Sequence, residues 1–176
     1  MSSKRIEKEF TSAFERYSDA LYRHCYFRTY SRERARDVVQ ETFLKTWDYV
    51  RAGNSIDNLR AFLYQVATNI IIDESRKLKN VREVSLETLQ EKGFDLEDHK
   101  AGKIEDTIEA QMLLPVLDEL DEKYREVVMF RYIDNLMPRE IAEITGENEN
   151  VISVRIHRGL KQLRKLLKQN GYYEIV

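Results

Sequence analysis

Between residues 31 and 50 the apolar side chains Ala35, Val38, Val39, Phe43, Trp47 and Val50 recur at helical spacing. At about 3.6 residues per turn they gather on one side of the helix, as a buried stripe does. The same periodicity predicts helices over 4–17, 19–29 and 57–77. In the last of these Leu59, Phe62, Leu63, Val66, Ala67, Ile70 and Ile71 form the core face. The segment RAGNSID (51–57) separates the third helix from the fourth, with Gly53 to stop one and Ser55 or Asp57 to cap the next. From Leu78 to Glu105 the pattern fails. VREVSLETLQEKGFDLEDHKAGKIED is acidic, holds two of the six glycines and carries no sustained stripe, which reads as a linker with at most a short turn. Periodicity resumes near Asp106 and runs with interruptions to Leu167, and Pro115 inside MLLPVLDEL predicts a kink or a later helix start. The expected fold is all-α: two small helical domains, 1–78 and 106–176, joined by a flexible acidic linker over 79–105.

Some positions break the pattern. Leu44 falls opposite its helix's apolar stripe, flanked by Asp37, Gln40, Glu41 and Asp48. A stray surface leucine is common, so on this helix alone it and an interaction patch are equally good readings. On the helix over 57–77, Tyr64, Gln65, Thr68, Ile72 and Arg76 point outward, with Asn69 at the margin. Aromatic, amide and hydroxyl groups beside a cation can stack on and hydrogen-bond unpaired bases. An ordinary polar helix face would carry the same groups.

The C-terminal part is more specific. In MPREIAEITGENENVISVRIHRGLKQLRKLLK (137–168), Pro138 suits a first helical position and Ile141, Ala142 and Ile144 form a short apolar face. Gly146 ends that helix and ENEN supplies a turn and the next N-cap, the pattern of a helix-turn-helix. In the second helix Ile152, Ile156, Leu160, Leu163 and Leu167 share one face. Arg155, Arg158, Lys161, Arg164, Lys165 and Lys168 lie on the other, with no acid among them, and a solvated face would normally mix signs. Such a face suits a polyanion. Val151 and Val154 at its N-terminal end suit thymine methyls in a major groove.

Composition narrows the remaining classes. The chain of 176 residues has a net charge of −2, so it is no polycation as a whole. Its charge is nonetheless partitioned: residues 1–80 carry 15 Lys/Arg against 11 Asp/Glu, and residues 81–110 carry 4 against 9. Separate blocks point to separate surfaces with separate partners. The single cysteine, Cys25, excludes an internal disulfide and fits a reducing compartment. Its neighbour His24 does not face it in a helix, and His99 and His157 lie far off. No metal, cofactor or catalytic constellation is expected, and the protein is read as no enzyme. The start MSSKRIEKEF lacks the apolar core of a signal peptide and no run could span a bilayer, so a cytoplasmic protein with no direct membrane insertion is expected.

In order, DVVQETFLKTW, LRAFLYQVATNIIID, LDELDEKYREVVMFRYIDNLMPREIAEITG and VISVRIHRGLKQLRKLL resemble the extracytoplasmic-function (ECF) sigma factors of the sigma-70 family, over nearly the whole chain. The resemblance implies a bacterial alternative sigma factor that binds core RNA polymerase, recognises and helps melt promoter DNA, and starts transcription. It assigns 1–78 to polymerase and the minus-ten element, and 106–176 to the minus-thirty-five element. Asp37, Gln40, Glu41, Leu44 and Lys45 would dock on a coiled coil of the largest polymerase subunit, Leu44 as an apolar anchor in a polar rim. Asn54, Ser55, Ile56, Arg60, Tyr64, Thr68, Asn69 and Arg76 would hold the opened minus-ten element. Arg139, Asn150, Val151, Ser153, Val154, Arg155, Arg158 and Lys161 would read the minus-thirty-five element. An anti-sigma factor is a further implied partner.

The chain departs from the family pattern at Gln65 and Thr68, where basic residues are usual, at Ser153 in place of a lysine, and at Met137 in place of a capping serine. The turn ENEN puts Glu147 and Glu149 where they would approach phosphates. Two other classes compete: a stand-alone helix-turn-helix regulator that binds an operator as a dimer, and an interaction adaptor without DNA contact. The first leaves Leu44 unexplained, and the basic helix speaks against the second.

Overall fold

A computed structural model describes residues 3–84 and 114–172, and no strand occurs among them. The elements are α1 (Ser3–Thr29), α2 (Arg32–Arg51), α3 (Leu59–Val84), α4 (Glu122–Tyr132), α5 (Pro138–Thr145) and α6 (Glu149–Gln169). Residues 114–118, just before α4, are also helical.

Helix α1 is one piece where two were expected. Ala13, Leu21 and Cys25 are buried and Tyr17 packs beside them, a stripe at intervals of four that continues through the weak helix formers Ser18 and Asp19. Burial of that stripe outweighs propensity differences of about 0.5 kcal/mol per residue. Helices α1 to α3 close on Leu21, Cys25, Val38, Phe43, Leu63, Ala67 and Ile70. Ser31 caps α2 by accepting from the Arg34 amide at 3.2 Å. The cap of α3 is Asn58, whose Oδ1 accepts from the Ala61 amide at 3.1 Å, and not Ser55 or Asp57. With the first turn at Leu59, only position 58 can reach that amide. At its far end α3 runs to Val84, into the segment expected as linker. No glycine or proline lies between Leu59 and Gly93, and an established helix propagates more easily than it nucleates. The rest of the expected linker, and the helix start near Asp106, lie outside the described residues.

In the second half Pro138 opens α5, and Gly146 ends it in the left-handed region at φ 73°. Asn148 then caps α6, accepting from the Asn150 amide at 2.8 Å. The missing serine at Met137 is half compensated, since the Glu140 carboxylate accepts from the Met137 amide at 2.8 Å. Ile141, Ile144, Ile152 and Ile156 bury their side chains against Val127, Phe130 and Leu136, and this cluster also takes in Ala61 and Tyr64 of α3. The two halves therefore pack on each other through α3.

Helix α6 crosses α4 at Gly159, where an added Cβ would stand 2.7 Å from Val128 Cγ2 and 3.3 Å from Tyr124 Cβ. Gly159→Leu is expected to cost about 1–3 kcal/mol through overpacking. A urea titration checks this, and an unchanged midpoint would mean that the two helices do not meet at that glycine in solution.

Candidate polymerase and promoter surfaces

On α2 the buried residues Ala35, Val38, Val39 and Phe43 turn inward, while Asp37, Gln40 and Lys45 are exposed and Glu41 is half-buried. Leu44 is 61% exposed. Lys45 pairs with Glu41 at 3.0 Å along the helix. Leu44 is not alone: with Phe10, Phe14, Gln40, Phe43 and Trp47 it lines a shallow apolar groove between α1 and α2. Phe14 stacks at a tilt 4.8 Å from Phe43, and Phe10 lies 5.0 Å from Trp47. Phe14 is 46% exposed, an aromatic held open to solvent. Phe10 and Phe14 escaped the sequence reading, although their spacing of four places both on one face of α1.

The loop before α3 and the outer face of α3 are only partly open. Asn54 donates from its side chain to the Tyr49 carbonyl at 3.0 Å, Ser55 is exposed and Ile56 is half-buried. Asn69 and Arg76 are exposed, Arg76 lying 3.8 Å from Asp73. Tyr64 and Thr68, expected to point outward, are buried at 0% and 8% exposure. Helical spacing reports which side of α3 faces away from α1 and α2. It carries no information on what the other half of the chain lays over that side. Arg60 is likewise engaged: its guanidinium donates to the Asp134 carbonyl at 2.9 Å and lies 3.3 Å from the Glu140 carboxylate.

Beneath Tyr64 sits a buried polar cluster joining α1, α3 and the α4–α5 connection. His24, fully buried, has Nδ1 2.8 Å from Asp134 Oδ2 and Nε2 3.2 Å from Thr68 Oγ1. A neutral ring satisfies both, donating from Nδ1 to the carboxylate and accepting at Nε2 from the hydroxyl. The ring stacks on Phe130 at 5.5 Å and meets Tyr64 edge-on at 4.9 Å. Arg28 lies 3.4 Å from Asp134 and covers the face of Phe130. Burial, with Arg28 nearby, pulls the His24 pKa down from 6.5 to about 4, against the opposing pull of Asp134. Burial pushes the Tyr64 phenol up to about 12. Below pH 6.5 the unfolded chain therefore takes up a proton that the folded chain refuses, and stability falls as pH drops toward 4. The expected loss from this group between pH 7 and pH 5 is about 2 kcal/mol. Urea titrations at the two pH values check it: His24→Asn should flatten the slope, and equal slopes would contradict a neutral buried His24.

On α6 the residues Asn150, Val151, Ser153, Val154, Arg158 and Lys161 are exposed, and Arg139 on α5 is too. Val151 and Val154 keep 42% and 48% of their surface in water. The expected face of unpaired cations needs one correction. Glu147 reaches Arg155 with both oxygens, at 2.9 and 2.6 Å. The turn after Gly146 returns Glu147 beside α6, eight positions from its partner, so no spacing within the helix reveals the pair. The same contact answers half of the turn's charge problem: the Glu147 carboxylate is neutralised within the protein, while Glu149 stays exposed in the first turn of α6. Among the described residues no cluster of His, Cys, Asp or Glu could hold a metal ion, and no helix is long and apolar enough to cross a membrane.

A helix-turn-helix with exposed valines and cations, attached to a helical half bearing an exposed apolar groove, places the chain among DNA-binding proteins. Residues 13–81 match the Sigma-70 region 2 family and residues 110–163 the Sigma-70 region 4 family. The chain is 33% identical over 144 residues to the RNA polymerase sigma factor SigV of Bacillus subtilis (strain 168), covering 82% of each chain. It is 29% identical over 181 residues to the ECF RNA polymerase sigma factor SigW of the same organism, covering 94% of each. The fold is similar to that of the sigma factor RpoE in its co-crystal structure with the anti-sigma factor NepR from Bartonella quintana, with a TM-score of 0.70, 22% identity, and 92% of this chain and 98% of that one covered. It is also similar to CnrH in complex with the cytosolic domain of CnrY, with a TM-score of 0.69, 21% identity, and coverage of 94% and 91%. The chain belongs to the sigma-70 family, in its ECF group, and is an alternative sigma factor for transcription initiation.

Proposed function

We propose that the three surfaces divide the work of initiation. The groove around Leu44, with Asp37, Gln40, Glu41 and Lys45 as its rim, takes a coiled coil of core RNA polymerase. Asn54, Ser55, Ile56, Asn69 and Arg76, joined by Arg60, Tyr64 and Thr68 once uncovered, hold the opened minus-ten element. Arg139, Asn150, Val151, Ser153, Val154, Arg155, Arg158 and Lys161 read the minus-thirty-five element. On this reading residues 1–78 and 106–176 are the working domains, with 79–105 between them. The protein acts by binding, beside polymerase in the cytoplasm, and polymerase does the catalysis. The observation that carries the proposal is Leu44, 61% exposed beside Phe14 at a groove of aromatic rings. A central apolar group in a polar rim is the anatomy of a protein interface.

One structural relative, RpoE, is in complex with the anti-sigma factor NepR, and another, CnrH, is in complex with the cytosolic domain of CnrY. We infer a comparable restraint here, one that covers the Leu44 groove and so excludes polymerase. A ternary complex of this chain, inhibitor and polymerase that still initiates would rule occlusion out. The functional assignment as a whole is tested by run-off transcription with purified core polymerase on a promoter library. Transcripts should start a fixed distance downstream of a shared pair of elements only when the protein is added. Transcripts with no shared elements would overturn the promoter assignments.

A further inference from the structure

We propose that Tyr49, near the end of α2, is a stacking platform for an unpaired base of the opened minus-ten element. The inference rests on the assignment of the loop after α2 to that element. Stacking needs an aromatic face that solvent can reach, and it tolerates any base because every base has a π-face. Tyr64 has no exposed surface. Four other aromatics are exposed among the described residues: Phe14, Tyr30, Tyr49 and Tyr132. Phe14 belongs to the Leu44 groove, and the Tyr30 hydroxyl donates to Asp118 at 2.7 Å. Tyr132 ends α4, in the other half of the chain. Tyr49, 40% exposed, is the one beside the loop that carries Asn54, Ser55 and Ile56.

Its neighbours hold that ring in place. Position 49 continues the line of Thr42 and Thr46, both buried, so the side chain leaves α2 on the side of α3. It stands about 140° around the helix from Leu44, clear of the groove proposed for polymerase. The ring lies against Phe62 of α3, with centroids 4.9 Å apart and planes at 37°. One side is braced while the residue stays open to water, so a base adds to an existing stack and little side-chain freedom is left to lose. The Tyr49 carbonyl accepts from the Asn54 side chain at 3.0 Å, which ties the loop to the residue that bears the ring. Asn54 and Ser55, both exposed, bring amide and hydroxyl groups to the edge of a stacked base. Arg51, exposed two positions on, brings a cation to its phosphate. Phe62 in turn lines an open cavity with Ser55, Ile56 and Gln65, so the aromatic pair borders the loop on both sides of the α2–α3 junction.

The test compares Tyr49→Leu, Tyr49→Ala and Tyr49→Phe in the full chain, each with core polymerase. Leucine keeps an apolar contact with Phe62 but cannot stack. Tyr49→Leu should therefore bind polymerase like the unaltered chain yet lose about tenfold in run-off transcription from a duplex promoter. Tyr49→Ala should lose as much, and Tyr49→Phe should restore most of it. An aminopurine probe, placed in turn at each position of either strand of the minus-ten element, supplies a readout that packing alone does not move. At one position its fluorescence should be quenched by the unaltered chain and by Tyr49→Phe, and should brighten with Tyr49→Leu. Full transcription by Tyr49→Leu, or quenching unchanged at every position, would overturn the platform. If Asn69→Ala and Arg76→Ala lower transcription while Tyr49→Leu does not, the minus-ten assignment stands and the stacking role alone falls. If those two variants transcribe normally as well, the assignment falls and takes the platform with it.

Discussion

Leu44→Asp is expected to abolish co-purification with core RNA polymerase while leaving the fold unchanged. Leu44 buries little within its own bundle, so the substitution removes no core packing, and a circular-dichroism melt should match that of the unaltered protein. At the polymerase surface it does two kinds of damage. It deletes the apolar anchor of the groove, and it places a carboxylate between Gln40 and Glu41 on one side and Asp48 on the other. Loss of a central anchor typically costs about 2 kcal/mol or more, roughly thirtyfold in affinity. Phe14→Ser should act in the same direction, because Phe14 supplies the opposite wall of the groove and is half exposed. Retention of the Leu44→Asp variant on polymerase at the unaltered level would remove the groove from the interface.

The second large effect is expected on the helix-turn-helix. Arg158→Ala and Arg155→Ala should each reduce transcription from a matched upstream element, and the two differ in why. Arg158 is exposed, free to meet phosphate or base. Arg155 is braced by both oxygens of Glu147, which fixes its guanidinium plane and cancels much of its charge. A braced arginine suits bidentate contact with guanine, where discrimination is about 1–3 kcal/mol, better than a phosphate contact that acts on every sequence. Arg155→Ala should therefore lower the ratio of matched to scrambled promoter, and Glu147→Ala should lower it too while raising binding to scrambled DNA. If both arginine variants transcribe like the unaltered protein on the matched promoter, α6 does not read it.

Much of this arrangement is legible along the chain because it is local. The stripe of Ala35, Val38, Val39 and Phe43, the stop at Gly146 and the first-turn Pro138 each depend on a few neighbouring residues, and the structure has them as expected. Leu44 is legible for the same reason, since a leucine opposite its own stripe must be exposed unless something else covers it. What escapes is everything decided by a distant partner. Tyr64 sits on the outward side of α3, as its spacing requires, yet it is buried because Phe130 and Leu136 arrive from the other half. His24, a solitary histidine beside a cysteine, becomes the centre of a buried cluster only when Asp134, 110 positions away, is brought against it. The pair of Glu147 and Arg155 crosses a turn, so it follows neither helical spacing nor strand alternation. The break expected near Ser18 fails for a related reason: weak helix formers yield when a buried stripe runs through them.

This chain is expected to open a promoter only together with polymerase, using one surface from each half to hold the DNA. Permanganate reactivity of thymines in the minus-ten region, measured on a promoter recovered by run-off selection, tests it most directly. With both protein and core polymerase present those thymines should become reactive, and with either one alone they should not. Protection of the same duplex by the protein alone, as a dimer and with no reactive thymines when polymerase is added, would contradict it and leave an operator-binding regulator.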